Sequence, residues 1–188
     1  MDQFLERIYW RRQMVHEAGH AVASLVLLDL SADIVAMNYL DPDGVLQKHA
    51  RFKFDPGIQI ATRDFPAPAL EEQNLLEKAK IIGAGGIAET LYFGGPPRGA
   101  TGDMRKLNRI MGVLAVMSPT LRALLAEEVD RNFPETRRLL KNHLPAITRI
   151  WKKAFYEFKR RRLAGKKEFK ETPVLYELQV RRLFLGKR

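Results

Sequence analysis

His16 and His20 are the residues of this sequence best placed to do chemistry, within the segment His16-Glu17-Ala18-Gly19-His20. In a helix, residues four apart project from one face, so the two imidazoles can occupy two corners of a tetrahedral zinc site. Glu17 follows the first histidine and can take a proton from water at the metal. The segment is a candidate zinc peptidase motif, although an HExxH pattern also occurs by chance.

A catalytic zinc site needs a third protein ligand and keeps one position open. Cysteine is absent from the sequence, so this ligand has to be a histidine or a carboxylate. His49 lies in a predicted strand, where it more simply faces solvent or pairs with a neighbour. His143 stands at a predicted helix end, just before Pro145. Both histidines are therefore weaker candidates than two carboxylates, Glu89 and Asp103.

Glu89 and Asp103 each have a functional and a structural interpretation. Glu89 lies in a predicted helix with Gly83, Gly85 and Gly86, which cost stability unless another helix approaches closely. It can bind the metal, or orient a ligand histidine through a hydrogen bond. Asp103 opens a helix after a glycine-rich turn, so it can bind the metal or act as an ordinary N-cap. Composition and spacing do not decide between these roles.

The elements predicted to position these residues are mainly helical. Apolar residues recur with the helical period of about 3.6 residues in the first segment. Proline and glycine mark the ends of the later segments. The predicted helices cover 4–28, 71–93, 102–117, 118–132, a segment from Pro134 that Pro145 breaks or kinks, and a last short helix from Thr172-Pro173.

One antiparallel hairpin is predicted near the N-terminus. Weak alternation over 33–39 and 45–54 flanks the turn Asp41-Pro42-Asp43-Gly44, and residues 55–70 are predicted to form a loop or lid. The expected fold is mainly α with a small antiparallel sheet, and the histidine-bearing helix packs against a helical bundle. We expect a single domain over 1–188, with a zinc-site core in 1–118 and a basic helical part in 119–188.

The composition is that of a globular protein with a basic surface. The chain has 188 residues, 46% of them hydrophobic, and a net charge of +10. No apolar run approaches the roughly 18 residues that span a bilayer, and no secretory signal is visible, so a cytoplasmic protein is expected. Basic residues concentrate in 149–170. They can contact nucleic acid, anionic lipid or an acidic partner, but a solvated helix face is simpler because no base-reading motif accompanies them.

Three ordered segments form a more specific pattern than HExxH alone: 14–22 (MVHEAGHAV), 85–94 (GGIAETLYFG) and 99–104 (GATGDM). In that order they resemble the zinc helix, the GGRxAEExxFG helix and the TTGAxxDL turn of the peptidase domain of FtsH-type AAA proteases. The resemblance covers roughly residues 10–118. It departs from the family pattern at Thr90, where the family usually has glutamate, and at Gly102, where it often has asparagine.

This resemblance implies a zinc metalloendopeptidase, a hydrolase of peptide bonds. By position in the motifs, His16, His20 and Asp103 would bind zinc and Glu17 would be the general base. Glu89 would hydrogen-bond near the ligand histidines. The resemblance also implies that an extended polypeptide substrate is held at a strand edge by β-augmentation, for which the strand in 45–54 is the candidate.

The membrane anchors and ATPase module of the family have no counterpart in this sequence, which contains no GxxxxGK[ST] motif. We therefore expect cleavage of peptides and unstructured segments, or action with a separate ATPase partner, and a homo-oligomer is a further option. The alternative function is a non-catalytic binding protein on a peptidase fold, whose basic C-terminal helices contact nucleic acid or an acidic partner. The intact motif with Glu17 favours the enzyme.

Overall fold

The computed structural model describes residues 3–30, 34–40, 46–52, 68–97, 101–163 and 172–186. Most of these residues are helical, which confirms the mainly α prediction. The helices are α1 (Gln3–Leu28), α2 (Pro68–Phe93), α3 (Thr101–Met117), α4 (Pro119–Asp130), α5 (Pro134–Asn142), α6 (Leu144–Leu163) and α7 (Glu177–Phe184). The strands are β1 (Ile34–Leu40), β2 (Leu46–Phe52) and β3 (Thr172–Leu175). Within these ranges, no helix is apolar over a length that could cross a membrane.

Helices α1 and α2 approach each other closely because small residues line their contact. A Cβ atom on Gly19 would lie 2.6 Å from Cβ of Ala88 and 2.7 Å from the carbonyl oxygen of Ala84. Side chains do not approach backbone this closely, and forcing extra atoms into such a contact typically costs about 1–3 kcal/mol. The predicted close approach of another helix to α2 is confirmed.

Helix α6 packs beside α1 and fixes its N-terminal half through aromatic contacts. The ring centroids of Trp10 and Phe158 lie 4.1 Å apart, and Trp10 is fully buried. Ile147 and Ile150 of α6 belong to the same buried core. Truncating a buried aromatic residue to alanine typically costs about 3–5 kcal/mol, so this contact is a main support of the helix that carries the two histidines.

The three strands form one antiparallel sheet in the order β2-β1-β3. The pairing of β1 with β2 runs from Ile34 opposite Phe52 to Leu40 opposite Leu46. The predicted turn at 41–44 lies outside the described residues, as does most of the predicted loop at 55–70; its last residues, from Pro68, already belong to α2. Strand β2 runs alongside α1, with Cα atoms of the two elements within 8 Å of each other.

The predicted helix start at Thr172-Pro173 is wrong, because this segment forms β3 on the free edge of β1. Val174 and Leu175 of this strand are buried in the hydrophobic core. Proline lacks a backbone N–H, but an outer strand tolerates it because one side of the strand needs no donor. Helix α7 begins only at Glu177. The preceding residue, Tyr176, caps it, because its backbone N–H donates to the side chain of Gln179.

Phe133 connects the C-terminal helices to α2. It lies between α4 and α5 with a left-handed φ of 49°, which is uncommon for a bulky residue. Its buried ring fills the space beside Gly83, where a Cβ atom would lie 2.7 Å from the ring. The helix begins after it at Pro134, as predicted, and ends at Asn142, so that a new helix starts just before Pro145.

Candidate metal centre

Two histidines of α1 and an aspartate far away in the sequence meet in a buried cluster between α1, α2 and α3. Nε2 of His16 lies 2.8 Å from Oδ2 of Asp103, and Nε2 of His20 lies 3.2 Å from the same oxygen. One potential ligand atom from each of the three residues lies within 4.8 Å of the others. Among the side chains that the structure describes, no other cluster of three such residues occurs.

The Nδ1 atoms of both histidines point away from this cluster and have hydrogen-bond partners. His16 Nδ1 lies 2.8 Å from Oε1 of Glu89, and His20 Nδ1 donates to the carbonyl oxygen of Ile81 at 2.7 Å. A carbonyl oxygen can only accept, so Nδ1 of His20 carries a hydrogen. An imidazole that donates through Nδ1 turns its Nε2 to the opposite side of the ring. Both rings are therefore oriented with Nε2 toward Asp103.

Gly85 leaves the space on which the two histidines converge. A Cβ atom at this position would lie 2.5 Å from Nε2 of His20 and 2.6 Å from Nε2 of His16. Both distances are below van der Waals contact, so any side chain here would displace the rings. The sequence predicted that this glycine admits a neighbouring helix, and the structure shows that it also admits the two imidazoles that the helix carries.

Asp103 lies in the first turn of α3 and contacts residues both outside and within its own helix. Its Oδ2 faces the two histidines, and its Oδ1 lies 3.2 Å from Nζ of Lys106, one turn further along. Burial alone would raise the pKa of Asp103, but attraction to His20 and hydrogen bonds from both histidines lower it well below its usual range. The residue is therefore a carboxylate, which is the form that binds metals.

His16 is flanked by carboxylates on both ring nitrogens. Burial by itself lowers the pKa of His16, but the hydrogen bonds to Asp103 and Glu89 and the nearby charge of Glu17 outweigh it. Together they raise the pKa to about 10. In the absence of a metal the ring is thus an imidazolium that donates to both carboxylates. A divalent cation would replace this positive charge between the same groups.

The donor set fits zinc. Two imidazole nitrogens and a carboxylate oxygen are among its preferred ligands, and three protein ligands leave one position open for catalysis. Neighbouring ligand atoms around tetrahedral zinc lie roughly 3.3 Å apart. The 3.2 Å distance between His20 and Asp103 matches this value, and the 2.8 Å distance between His16 and Asp103 needs only a small lengthening.

Glu17 is buried beside His16, close enough for its charge to raise the pKa of that histidine. It follows His16 on α1, so its backbone position is fixed by the same helix contacts. A carboxylate so near the cluster can exchange protons with a group bound there. The sequence predicted this residue as the general base, and that role stays a prediction.

The two other histidines do not join the cluster. His143 caps the end of α5, where its Nδ1 donates to the carbonyl oxygen of Leu139 at 2.9 Å and its ring stacks on Phe184. This is the helix-end role that the sequence indicated. His49 lies in β2 at the register position opposite Met37, and its side chain lies outside the described part of the chain.

Two partners of the cluster were not predicted from the sequence: the carbonyl of Ile81 and the guanidinium of Arg12, which lies 3.6 Å from Oε2 of Glu89. The sequence does contain a residue spacing that indicates both contacts. Positions 12, 16 and 20 are spaced by four in α1, and positions 81, 85, 89 and 93 are spaced by four in α2. Each series lines one face of its helix, because residues four apart project from the same side. The two series contact each other in antiparallel order.

The basic segment forms an exposed face of α6, and part of its positive charge is paired with a glutamate of the same helix. Glu157 accepts from Lys153 at 2.8 Å and from Arg160 at 2.9 Å. Arg149 donates to the carbonyl oxygens of Leu183 and Phe184 at the end of α7. These contacts agree with the interpretation as a solvated helix face. Residues 164–170 lie outside the described residues.

Comparison with known proteins adds no relative. The sequence matches no protein-family model, and no curated protein matches it significantly. The buried cluster of His16, His20 and Asp103 is therefore the strongest indication of what this chain does.

Proposed function

We propose that this chain is a zinc-dependent metalloendopeptidase with the fold of the FtsH-type peptidase domain, and that it hydrolyses peptide bonds of unfolded or extended polypeptides. The observation that carries the proposal is the convergence of Nε2 of His16, Nε2 of His20 and the Asp103 carboxylate within 4.8 Å, from two helices, in a buried place. Of the three motifs that resemble the family, the first supplies His16 and His20, and the third supplies Asp103.

His16, His20 and Asp103 would hold the metal, and each is prepared for this in a different way. The hydrogen bonds of the histidine Nδ1 atoms to Glu89 and Ile81 orient both rings. The lowered pKa of Asp103 keeps it ionised. A bound zinc ion would supply a Lewis acid, which polarises a peptide carbonyl and makes water acidic enough to attack near neutral pH.

Glu17 would manage the protons of the reaction. It would accept a proton from the attacking water while the bond between the water oxygen and the carbonyl carbon forms. It would then donate this proton to the leaving nitrogen as the peptide C–N bond breaks. A carboxylate can do both steps without leaving its place, which suits a residue that is buried within the helix contact.

The outer edge of the sheet would bind an extended substrate. Strand β2 is an outer strand in the order β2-β1-β3, and it runs alongside the helix that carries His16 and His20. The outer edge of such a strand offers backbone donors and acceptors to a polypeptide that adds as a further strand. Recognition through the substrate backbone favours chains that are already extended over those that are folded.

Metal content and cleavage of an unstructured substrate test this function together. The purified chain should contain about one zinc ion per molecule and cleave casein or a quenched fluorescent peptide. E17Q should keep the zinc and lose at least about 100-fold in rate, the usual contribution of a general base. E127Q, which removes an exposed carboxylate of α4, is the matched control and should behave as the wild type.

A zinc-loaded wild type that cleaves none of these substrates would contradict the proposal, as would an E17Q variant that retains its rate. Salt-sensitive binding to DNA or RNA, lost when residues 159–162 are neutralised and not accompanied by cleavage, would instead favour the non-catalytic alternative.

A further inference from the structure

Arg12 connects α1 to Glu89 of α2, which contacts His16 of the metal cluster, and to Phe93, one turn further along α2. It precedes His16 by one helical turn, so both side chains project from the same face of α1. Its Nη1 lies 3.6 Å from Oε2 of Glu89, and its guanidinium carbon lies 4.8 Å from the ring centroid of Phe93. Phe93 itself follows Glu89 by one turn of α2. The guanidinium is thus held between an aromatic ring and a carboxylate.

Glu89 uses its two oxygens for different partners. Oε1 faces Nδ1 of His16 at 2.8 Å, and Oε2 faces Arg12. The residue is only 1% exposed, and a buried carboxylate is strongly destabilised unless positive charge and hydrogen bonds compensate for its lost hydration. The cation at the far oxygen therefore offsets part of this lost hydration and holds the carboxylate turned so that its near oxygen meets the histidine.

We propose that Arg12 is a positioning residue of the metal centre, which acts through Glu89 to hold the ring of His16 with Nε2 toward Asp103. The inference rests on the proposed zinc site and extends it by one residue that the HExxH pattern does not contain. Partners of a ligand histidine typically contribute 10- to 100-fold to metal affinity. A residue that fixes such a partner should contribute about tenfold, at the lower end of that range.

Arg11 provides a matched control for a merely structural role. It has the same charge, it is the neighbouring residue of α1, and its guanidinium also lies near Phe93, at 5.6 Å from the ring centroid. Its second aromatic contact is with Trp151, at 5.0 Å. If the contribution of Arg12 came from charge near the end of α2 or from stacking on Phe93, removal of Arg11 would have a similar effect on the metal.

The experiment is a double-mutant cycle on zinc affinity, measured by competition with a chelator at pH 7.5. R12M should weaken zinc binding about tenfold in the wild-type background. R11M should leave the affinity within about twofold of the wild type. In an E89Q background the far oxygen is no longer charged, so R12M should add less than about twofold to the effect of E89Q alone.

A spectroscopic measurement on the same variants follows the histidine directly. In the zinc-loaded wild type, the Nδ1 proton of His16 should give a slowly exchanging, downfield NMR signal because Glu89 accepts it in a buried place. The signal should exchange faster in R12M and stay unchanged in R11M. R12Q, which is also uncharged but keeps polar atoms, carries the same expectations and replaces R12M if that variant does not fold.

Three results would overturn the inference. R12M could bind zinc as tightly as the wild type, R11M could weaken binding as much as R12M, or R12M could cause the same loss in the E89Q background as in the wild-type background. A wild-type chain that binds no zinc would overturn the proposed function itself. Normal binding by the wild type with an unaffected R12M would overturn only the role of Arg12.

Discussion

Oδ2 of Asp103 lies 2.8 Å from Nε2 of His16, although 87 residues separate the two in the sequence. The other ring nitrogen of His16 lies at the same distance from Oε1 of Glu89. One imidazole is therefore held between two carboxylates of different helices, and Asp103 also lies 3.2 Å from Nε2 of His20. This asymmetry assigns Asp103 to the side of the ring where a metal would bind, and Glu89 to the opposite side.

The two carboxylates should differ in what their removal does to zinc. D103N removes the proposed ligand oxygen and should weaken zinc binding by more than about 100-fold, beyond the range seen for partners of ligands. E89Q keeps a hydrogen-bond acceptor beside His16 and should weaken binding by about 10- to 100-fold. Chelator competition measures both. A larger loss in E89Q than in D103N would mean that the two roles are reversed.

Gly85 should be essential to the metal site for steric reasons alone. G85A places a Cβ atom within 2.6 Å of both histidine Nε2 atoms, so the rings must move and zinc binding should be lost. Overpacking should also lower stability by about 1–3 kcal/mol, which thermal unfolding measures. G112A is the control, because a Cβ atom there meets nothing within 4 Å. It should stabilise α3 by roughly 0.5–1 kcal/mol, since alanine is the better helix former.

Zinc binding should release a proton from His16. The pKa of this residue is raised from 6.5 to about 10 in the metal-free protein, so at neutral pH the ring is charged and the metal has to displace its proton. Apparent zinc affinity should therefore rise about tenfold per pH unit between pH 6 and 8. Calorimetry in buffers of different ionisation enthalpy should count about one proton per zinc. Affinity that does not change with pH would contradict the doubly hydrogen-bonded imidazolium.

The same shift has an opposite consequence for the metal-free fold. A raised histidine pKa stabilises the folded chain fully below its ordinary value of 6.5, and this contribution is lost as the pH rises toward 10. The lowered pKa of Asp103 stabilises the fold above its ordinary value of 3.8, and this contribution is lost as the pH falls. The pair should thus contribute most to the free energy of unfolding between pH 3.8 and 6.5. Urea unfolding of the chelator-treated protein measures this contribution, and D103N should remove it.

Arg181 should stabilise the end of the histidine-bearing helix. Its guanidinium donates to Oδ1 of Asp29 at 2.6 Å and to the backbone carbonyl of the same residue at 2.7 Å. Asp29 follows α1 directly and has a left-handed φ of 51°. R181A should lower the free energy of unfolding by about 1 kcal/mol, the usual net value of such bonds at a partly exposed place. R182A, at the neighbouring position, should leave it unchanged within about 0.5 kcal/mol.

The helices could be predicted from the sequence because their signals are local. The apolar spacing in 4–28 and the glycine and proline residues after 93 lead to bounds close to those of Gln3–Leu28 and Pro68–Phe93. Strand β3 could not be predicted in this way. Thr172-Pro173 is by itself a good helix start, and only pairing with Val35 and Ala36, far away in the sequence, makes it a strand.

The candidate site likewise has features that the local sequence predicts and features that depend on how the helices pack. The spacing of His16 and His20 is enough to place both imidazoles on one helix face. The choice between Glu89 and Asp103 depends on which ring nitrogen each carboxylate meets, and this follows from the packing of three helices. The pKa of His16 also depends on that packing, because two of the carboxylates that raise it come from other elements. No local pattern contains this information.

The antiparallel order of contacts between α1 and α2 has a consequence for how the chain tolerates insertions and deletions. Arg12, His16 and His20 meet α2 at Phe93, Glu89 and Ile81, so that the order is reversed between the helices. Adding or removing one residue within 12–20 or within 81–93 would rotate part of this set by about 100° and break several contacts at once. Changing the number of residues between the two helices, outside the paired strands β1 and β2, would leave every one of these pairs aligned, since loop length costs little free energy. Length variation among relatives of this chain should therefore concentrate between the helices and avoid these two short stretches.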